Sequence, residues 1–437
     1  MKQVMKAWTL PALLSILAVA AGCSSSPSSS TSPENDVTVV SSRLSRDTSP
    51  EVSYEETVSL RDGNRQFATD LYGTLRNAPL FANKNLFFSP YSISVALGMT
   101  YAGAAGATAD ELAKTMHFTL PRDRVHVAIN ALDLALNARP KATDTQSPLS
   151  LHVVDSMWGA PQTTFETPFL DTLAVNYGAG VRLTDFEKDA EAARVRINDW
   201  VSRETENKIQ DLIGRGDAIS GITRFVLVNA IYFKAGWTAK FSKDATAPGT
   251  FHGASGDAPV EMMKQESEFS YAEGDGYRAI DLPYDGGLSF TAVLPSDLPS
   301  FEASLDPAKI ASIEASFASA YVALQLPKFE IKGESFSLKE SLEKQGMKTL
   351  FSGAADLSGI SKSEHLLVGD VIHQAFIGVD EEGTEAAAAT AVIGDAICDC
   401  TTTPPKKIEL TIDKPFVFFI RDTMTGTILF TGRYVGG

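Results

Sequence analysis

The sequence predicts an α+β fold, and three observations predict it. Phe225 to Phe233 is a nearly unbroken run of apolar, β-branched and aromatic residues, the pattern of a central strand buried on both faces. Two further strand-like runs, Ala375–Val379 and Pro415–Ile420, lie near the C-terminus with an alanine-rich segment between them. Helical periodicity recurs elsewhere, with Phe67, Leu71 and Leu75 on one face of a segment running from 59 to about 76.

The N-terminus carries Lys2 and Lys6, then an apolar run from about Ala7 to Ala21 interrupted by Pro11 and ending in Ala20-Ala21-Gly22-Cys23. It is short for a membrane-spanning helix and has the layout of an export signal over residues 1–22. The small residues before Cys23 resemble a bacterial lipoprotein cleavage box, with Ala20 where leucine is usual. That resemblance implies lipid on Cys23, and Ser24 after it implies the outer membrane or cell surface; cleavage without lipid would give a secreted protein. Residues 23–58 open on a serine-rich stretch and have few large apolar side chains, so they are expected to form a flexible tether. About 30 such residues span roughly 30 Å in root-mean-square terms.

The globular part is expected over 59–437. After the first helix, Thr108 and Glu111 have capping-box spacing at the start of a helix over about 108 to 116. Residues 189 to 207, rich in Ala, Glu and Arg, read as another long helix. Four consecutive alanines at 386–389 are by propensity helical. Their place between two strand-like runs instead reads as a connection between strands.

Hydrophobic residues at 44% and charged residues at 21% are ordinary globular values, enough for a large core. A net charge of −16 with no basic cluster argues against a nucleic-acid partner. Three cysteines do not make a disulfide scaffold. Cys398 and Cys400 read as free or mutually oxidised thiols, or as a redox-sensitive pair. With no histidine pair beside them they do not complete a tetrahedral metal site, and no cofactor is expected.

Motifs for catalysis are lacking. There is no Gly-x-Ser-x-Gly elbow, no His-Glu-x-x-His helix and no phosphate-cradling glycine loop. Ser341 and Lys344 have Ser-x-x-Lys spacing without the companion motifs, and read as a solvated helical face. The chain is not expected to be an enzyme.

Five blocks in order resemble the serpin family. Asn85–Ile93 with Gly103–Glu111 is similar to its early signature, followed by Ile197–Val201 with Thr205, Lys208 and Ile209, and by Leu227–Lys234 with Trp237. Glu381-Glu382-Gly383-Thr384-Glu385-Ala386-Ala387-Ala388-Ala389 resembles the hinge of the family's reactive-centre loop, and Asp413–Phe418 the block just after it. The resemblance covers about residues 59 to 437.

It implies a serpin fold, with a large central sheet, further sheets, eight to nine helices and an exposed loop. It also implies a single-chain suicide-substrate inhibitor of serine endopeptidases. Ser89, Ser92, Asn229 and His373 match the region where the main sheet opens, and Trp237 and Lys328 match the breach above it, Lys328 as partner of Glu381. The family's loop length places the scissile bond at Ile397-Cys398. An aliphatic anchor there suits elastase-like or subtilisin-like enzymes, and a papain-like target also fits. In an inserting strand Thr384, Ala386, Ala388 and Thr390 point to one face and must be small. Before insertion Thr384 is expected at the exposed base of the loop. The alternative function is a non-inhibitory surface binding or folding-assistance protein.

Overall fold

A computed structural model describes residues 37–139, 150–215, 219–366, 368–384 and 407–436. Its helices are α1 Tyr54–Leu75, α2 Pro90–Tyr101, α3 Gly106–Thr115, α4 Arg122–Asn137, α5 Thr167–Tyr177, α6 Ala190–Glu204, α7 Leu298–Ala303, α8 Pro307–Ser316 and α9 Lys339–Lys344. The strands of the first two-thirds are β1 Val39–Val40, β2 Leu86–Phe88, β3 Ser150–Gly159, β4 Val181–Leu183, β5 Phe225–Gly236, β6 Ala247–Gly253, β7 Gly256–Gly274, β8 Tyr277–Tyr284 and β9 Leu288–Pro295. The rest are β10 Ala318–Pro327, β11 Phe329–Lys332, β12 Phe336–Ser337, β13 Val371–Val379, β14 Gly383–Thr384, β15 Ile408–Thr411, β16 Phe416–Asp422 and β17 Ile428–Tyr434.

Two sheets hold these strands. The first runs β1-β4-β3-β5-β14-β13-β11, with β12 also on β13. The second runs β15-β10-β7-β8-β9-β16-β17-β2, with β6 on β7. In the first, β5 and β13 are parallel neighbours over Val371–Phe376 and Leu227–Tyr232, and β14 lies antiparallel between their continuations.

The alternation of β5 explains its place. Leu227, Ile231 and Phe233 face the main core, while Val226, Val228 and Ala230 face a second cluster with Ile197, Trp200 and Val201 of α6. Truncating a side chain such as Ile231 to alanine there costs about 2–5 kcal/mol. Helix α2 is buried on every side, so it is a core helix with no solvent face. Pro90 fits its first turn, where no backbone donor is needed, and Ser89 caps it by accepting from the Ser92 amide.

Three expectations are corrected. Residues 37–58, read as tether, lie against the body: β1 pairs with β4, Arg46 bonds Asn130 and Asp133, and Val37 is buried. Helix α1 accordingly starts at Tyr54 rather than 59, with Ser53 and Glu56 forming a capping box that compositional reading passes over. The capping box expected of Thr108 and Glu111 does not form. The Thr108 hydroxyl instead accepts from the Asp356 amide, and Glu111 accepts from the amides of Lys348 and Thr349. Both side chains tie a distant connection to α3.

Candidate functional site

Strand β13 ends at Val379 and the chain turns back within four residues. The Asp380 amide donates to the Gly383 carbonyl at 2.8 Å and the Gly383 amide to the Asp380 carbonyl at 3.3 Å. The Asp380 carboxylate accepts from the amides of Glu382 and Gly383 at 2.9 and 3.2 Å, an aspartate use typical of tight turns. From outside the turn, Trp237 donates its indole N–H to the Asp380 carbonyl at 2.8 Å. The Trp237 and Phe241 amides bond the carbonyls of Glu382 and Glu381.

The two glutamates of the turn are held by separate lysines. Glu381 accepts from Lys328 at 3.0 Å and from Thr246 at 2.9 Å, so the expected Lys328 pairing is present. Glu382 accepts from Lys240 at 2.7 Å and lies 3.1 Å from Lys243. Burial pushes the Glu381 carboxyl up, but the hydrogen bonds from Lys328, its own amide and Thr246 outweigh it and hold it below the usual value. Glu382 is likewise pushed up by burial and held low, on balance, by Lys240 and Lys243.

Gly383 and Thr384 already lie inside the sheet, Gly383 opposite Gly236 and Thr384 between Ala235 and Val379. At Gly383 φ is +154°, and a Cβ there would sit 2.1 Å from the Ala235 carbonyl oxygen, so the strands leave no room for a side chain. Thr384 was expected at an exposed loop base. It is 0% exposed, with its hydroxyl 2.5 Å from that of Tyr284. The correction has a simple cause: the turn at 380–383 points the chain down into the gap where β5 and β13 diverge. Glu385, Ala386, Ala387, Ala388, Ala389, Ile397 and Cys398 lie outside the described residues, as does Cys23.

Lower in the same sheet Ser89, Ser92, Asn229 and His373 come together. His373 and Asn229 face each other across the β5–β13 pairing. The Ser89 amide donates to His373 Nε2 at 3.3 Å, so His373 Nδ1 carries the proton given to the Asn229 side-chain oxygen. Asn229 donates to the Ser92 hydroxyl at 2.5 Å. Burial lowers the His373 pKa to about 3, so the ring is neutral.

The sequence reading missed Asp155 of β3, which accepts from Ser92 at 3.2 Å and also from Asn229. Burial pushes its carboxyl up. A lone aspartate between Val154 and Met157-Trp158 was a readable signal, since a charged type inside an apolar run needs partners. Tyr284, Lys240 and Lys243 carry no such signal. Ser341, expected on a solvated helical face, is instead buried, while Lys344 is exposed and pairs with Glu340 at 2.7 Å.

The family model described as "Serpin (serine protease inhibitor)" matches residues 62–436. Human leukocyte elastase inhibitor is 37% identical over 397 residues, covering 86% of this chain and 98% of its own. An uncharacterized serpin-like protein of Thermococcus kodakarensis is 38% identical over 371 residues, covering 84% and 83%. Among solved structures, human glycosylated kallistatin superposes with a TM-score of 0.75 at 30% identity, covering 87% of this chain and 98% of that one. Native tengpin, a thermophilic serpin, superposes with a TM-score of 0.78 over 91% of this chain and all of its own; at 24% identity the likeness is one of fold. With nearly the whole globular part matched in sequence and superposed on solved structures, the chain belongs to the serpin family and has its fold.

Proposed function

We propose that this chain is an irreversible suicide-substrate inhibitor of serine endopeptidases. The observation that carries the reading is β14, a hinge already seated antiparallel between β5 and β13. A protease attacks the loop beyond the hinge and forms an acyl-enzyme through its own nucleophile. The cut loop then adds to the sheet as a strand, which draws the acylated enzyme along and distorts its site before water can release it. The chain thus acts as a substrate and catalyses nothing.

The register supports this mechanism. Continued from Thr384, it sets Ala386 between Ile377 and Phe233, Ala388 between Ala375 and Ile231, and Thr390 between His373 and Asn229. The last two are pairs that already share register across β5 and β13, and the first continues the same offset. Insertion therefore needs the two strands to part sideways, with no sliding. One parallel ladder is exchanged for two antiparallel ones, a net gain of hydrogen bonds each worth about 1 kcal/mol. In an inserted strand the same register would set Glu385 opposite Lys234, a favourable cross-strand pair.

The target is proposed to be elastase-like or subtilisin-like, with the cut at Ile397-Cys398. The aliphatic Ile397 supports it, and so does the name of the human relative, an elastase inhibitor. Lipid on Cys23, holding the head at a membrane surface, is proposed from the leader alone. The test of inhibition is denaturing electrophoresis after mixing with pancreatic elastase and with subtilisin. A band that joins protease and inhibitor and survives SDS is expected; cleavage with full recovery of protease favours the non-inhibitory binding protein instead.

A further inference from the structure

The hydroxyls of Thr384 and Tyr284 meet at 2.5 Å in a site closed to solvent. Among the described residues neither hydroxyl has a second partner. The Tyr284 ring is held by aromatic neighbours: it stacks on Trp237 at 4.4 Å between centroids, 7° from parallel, and meets Phe233 edge-on at 5.4 Å. Its position at the end of β8 belongs to the second sheet. A rigid hydroxyl from one sheet thus receives the first core-facing residue of a strand entering the other.

We propose that Tyr284 is a positioning residue for the loop, whose hydroxyl holds Thr384 in the sheet before any cleavage and so sets the resting depth of the hinge. The proposal rests on the strand-insertion reading and deepens it, because the first step of insertion is then made in advance. The physical reason is the asymmetry of buried hydrogen bonds. Removing one partner leaves the other unsatisfied, whereas replacing both by apolar groups of the same shape is nearly neutral. If Thr384 withdraws, both hydroxyls meet water at the vacated position and the bond between them is lost. If Tyr284 lacks its hydroxyl, Thr384 gains by withdrawing, and the equilibrium shifts outward by roughly 5- to 150-fold.

Three variants test this: Tyr284→Phe, Thr384→Val and the pair together. The readout is amide hydrogen exchange over residues 380–384 of the intact protein, with no protease present. Each single variant is expected to exchange faster by about tenfold, with core strands β9 and β16 unchanged, and the double variant to return to within about threefold of wild type. A merely structural role gives no such return. Singles that exchange like wild type, or a double variant at least as fast as the faster single, overturn the proposal. The inhibitor consumed per protease inactivated should follow the same pattern, up in each single and restored in the double. The exchange pattern without any SDS-stable complex would leave the positioning role standing and sink the inhibitor reading. Complexes without the exchange pattern would do the reverse.

Discussion

The Lys328 ammonium lies 3.0 Å from a Glu381 carboxylate oxygen and ties the junction of β10 and β11 to the turn where the loop leaves β13. Lys328 is half-exposed while Glu381 is buried, so the pair is screened on one side only. Lys328→Ala is expected to cost about 1 kcal/mol, at the upper end for a partly exposed pair. The sign with pH follows from the depressed carboxyl pKa. The contribution is present above the ordinary value of 4.5 and is lost as pH falls through the lower folded value. Urea midpoints of wild type and variant should therefore differ at pH 7 and converge in acid; a constant gap would show that the charge is not the cause.

Two buried histidines predict an acid slope that starts earlier. Burial lowers His126 to about 4 and His373 to about 3, from 6.5. Both are neutral when folded, so below 6.5 the unfolded chain binds more protons. Stability then falls as pH drops from 6.5 toward those folded values, by about 1.4 kcal/mol per pH unit for each ring. Denaturation at pH 7.5, 6 and 5 measures the slope. His126→Gln should remove one ring's share, and an unchanged slope would show that His126 does not titrate on unfolding.

Thr384→Arg should abolish the proposed inhibition and leave a plain substrate. Because Thr384 is buried before cleavage, the arginine must first leave the sheet, carrying the hinge out with it. Re-entry would bury an unpaired charge at a cost of several kcal/mol, and each 1.4 kcal/mol is about tenfold in insertion rate. Titration against a fixed amount of elastase should show many molecules cleaved per protease inactivated. One-for-one trapping would contradict the account.

The cut itself is expected at Ile397-Cys398. Mass spectrometry after brief exposure to an elastase-like enzyme should find a fragment beginning at Cys398. Cleavage confined to Lys406 or Lys407 would instead mark a trypsin-like specificity. Adding reductant should change the inhibition rate if Cys398 and Cys400 are oxidised together, and equal rates would remove that role.

What the sequence revealed tracks how local each cause is. Strand β5 was legible because alternate residues serve two cores, and every position shows it. The meeting of Ser89, Ser92, Asn229 and His373 was legible only through family resemblance, since the four are spread over nearly 300 residues. The role of Thr108 and Glu111 was misread because their partners, Asp356, Lys348 and Thr349, come from a distant connection that outcompetes the local cap. The burial of Thr384 was hidden for the same reason: it depends on where β5 and β13 part, a property of two strands far apart in sequence.

If the cut loop becomes a strand between β5 and β13, the melting temperature must change after a single cut in the loop. The cleaved chain is expected to melt markedly higher, because the inserted strand turns one ladder into two at about 1 kcal/mol per added hydrogen bond. A cleaved chain that melts at or below the temperature of the intact one would contradict it.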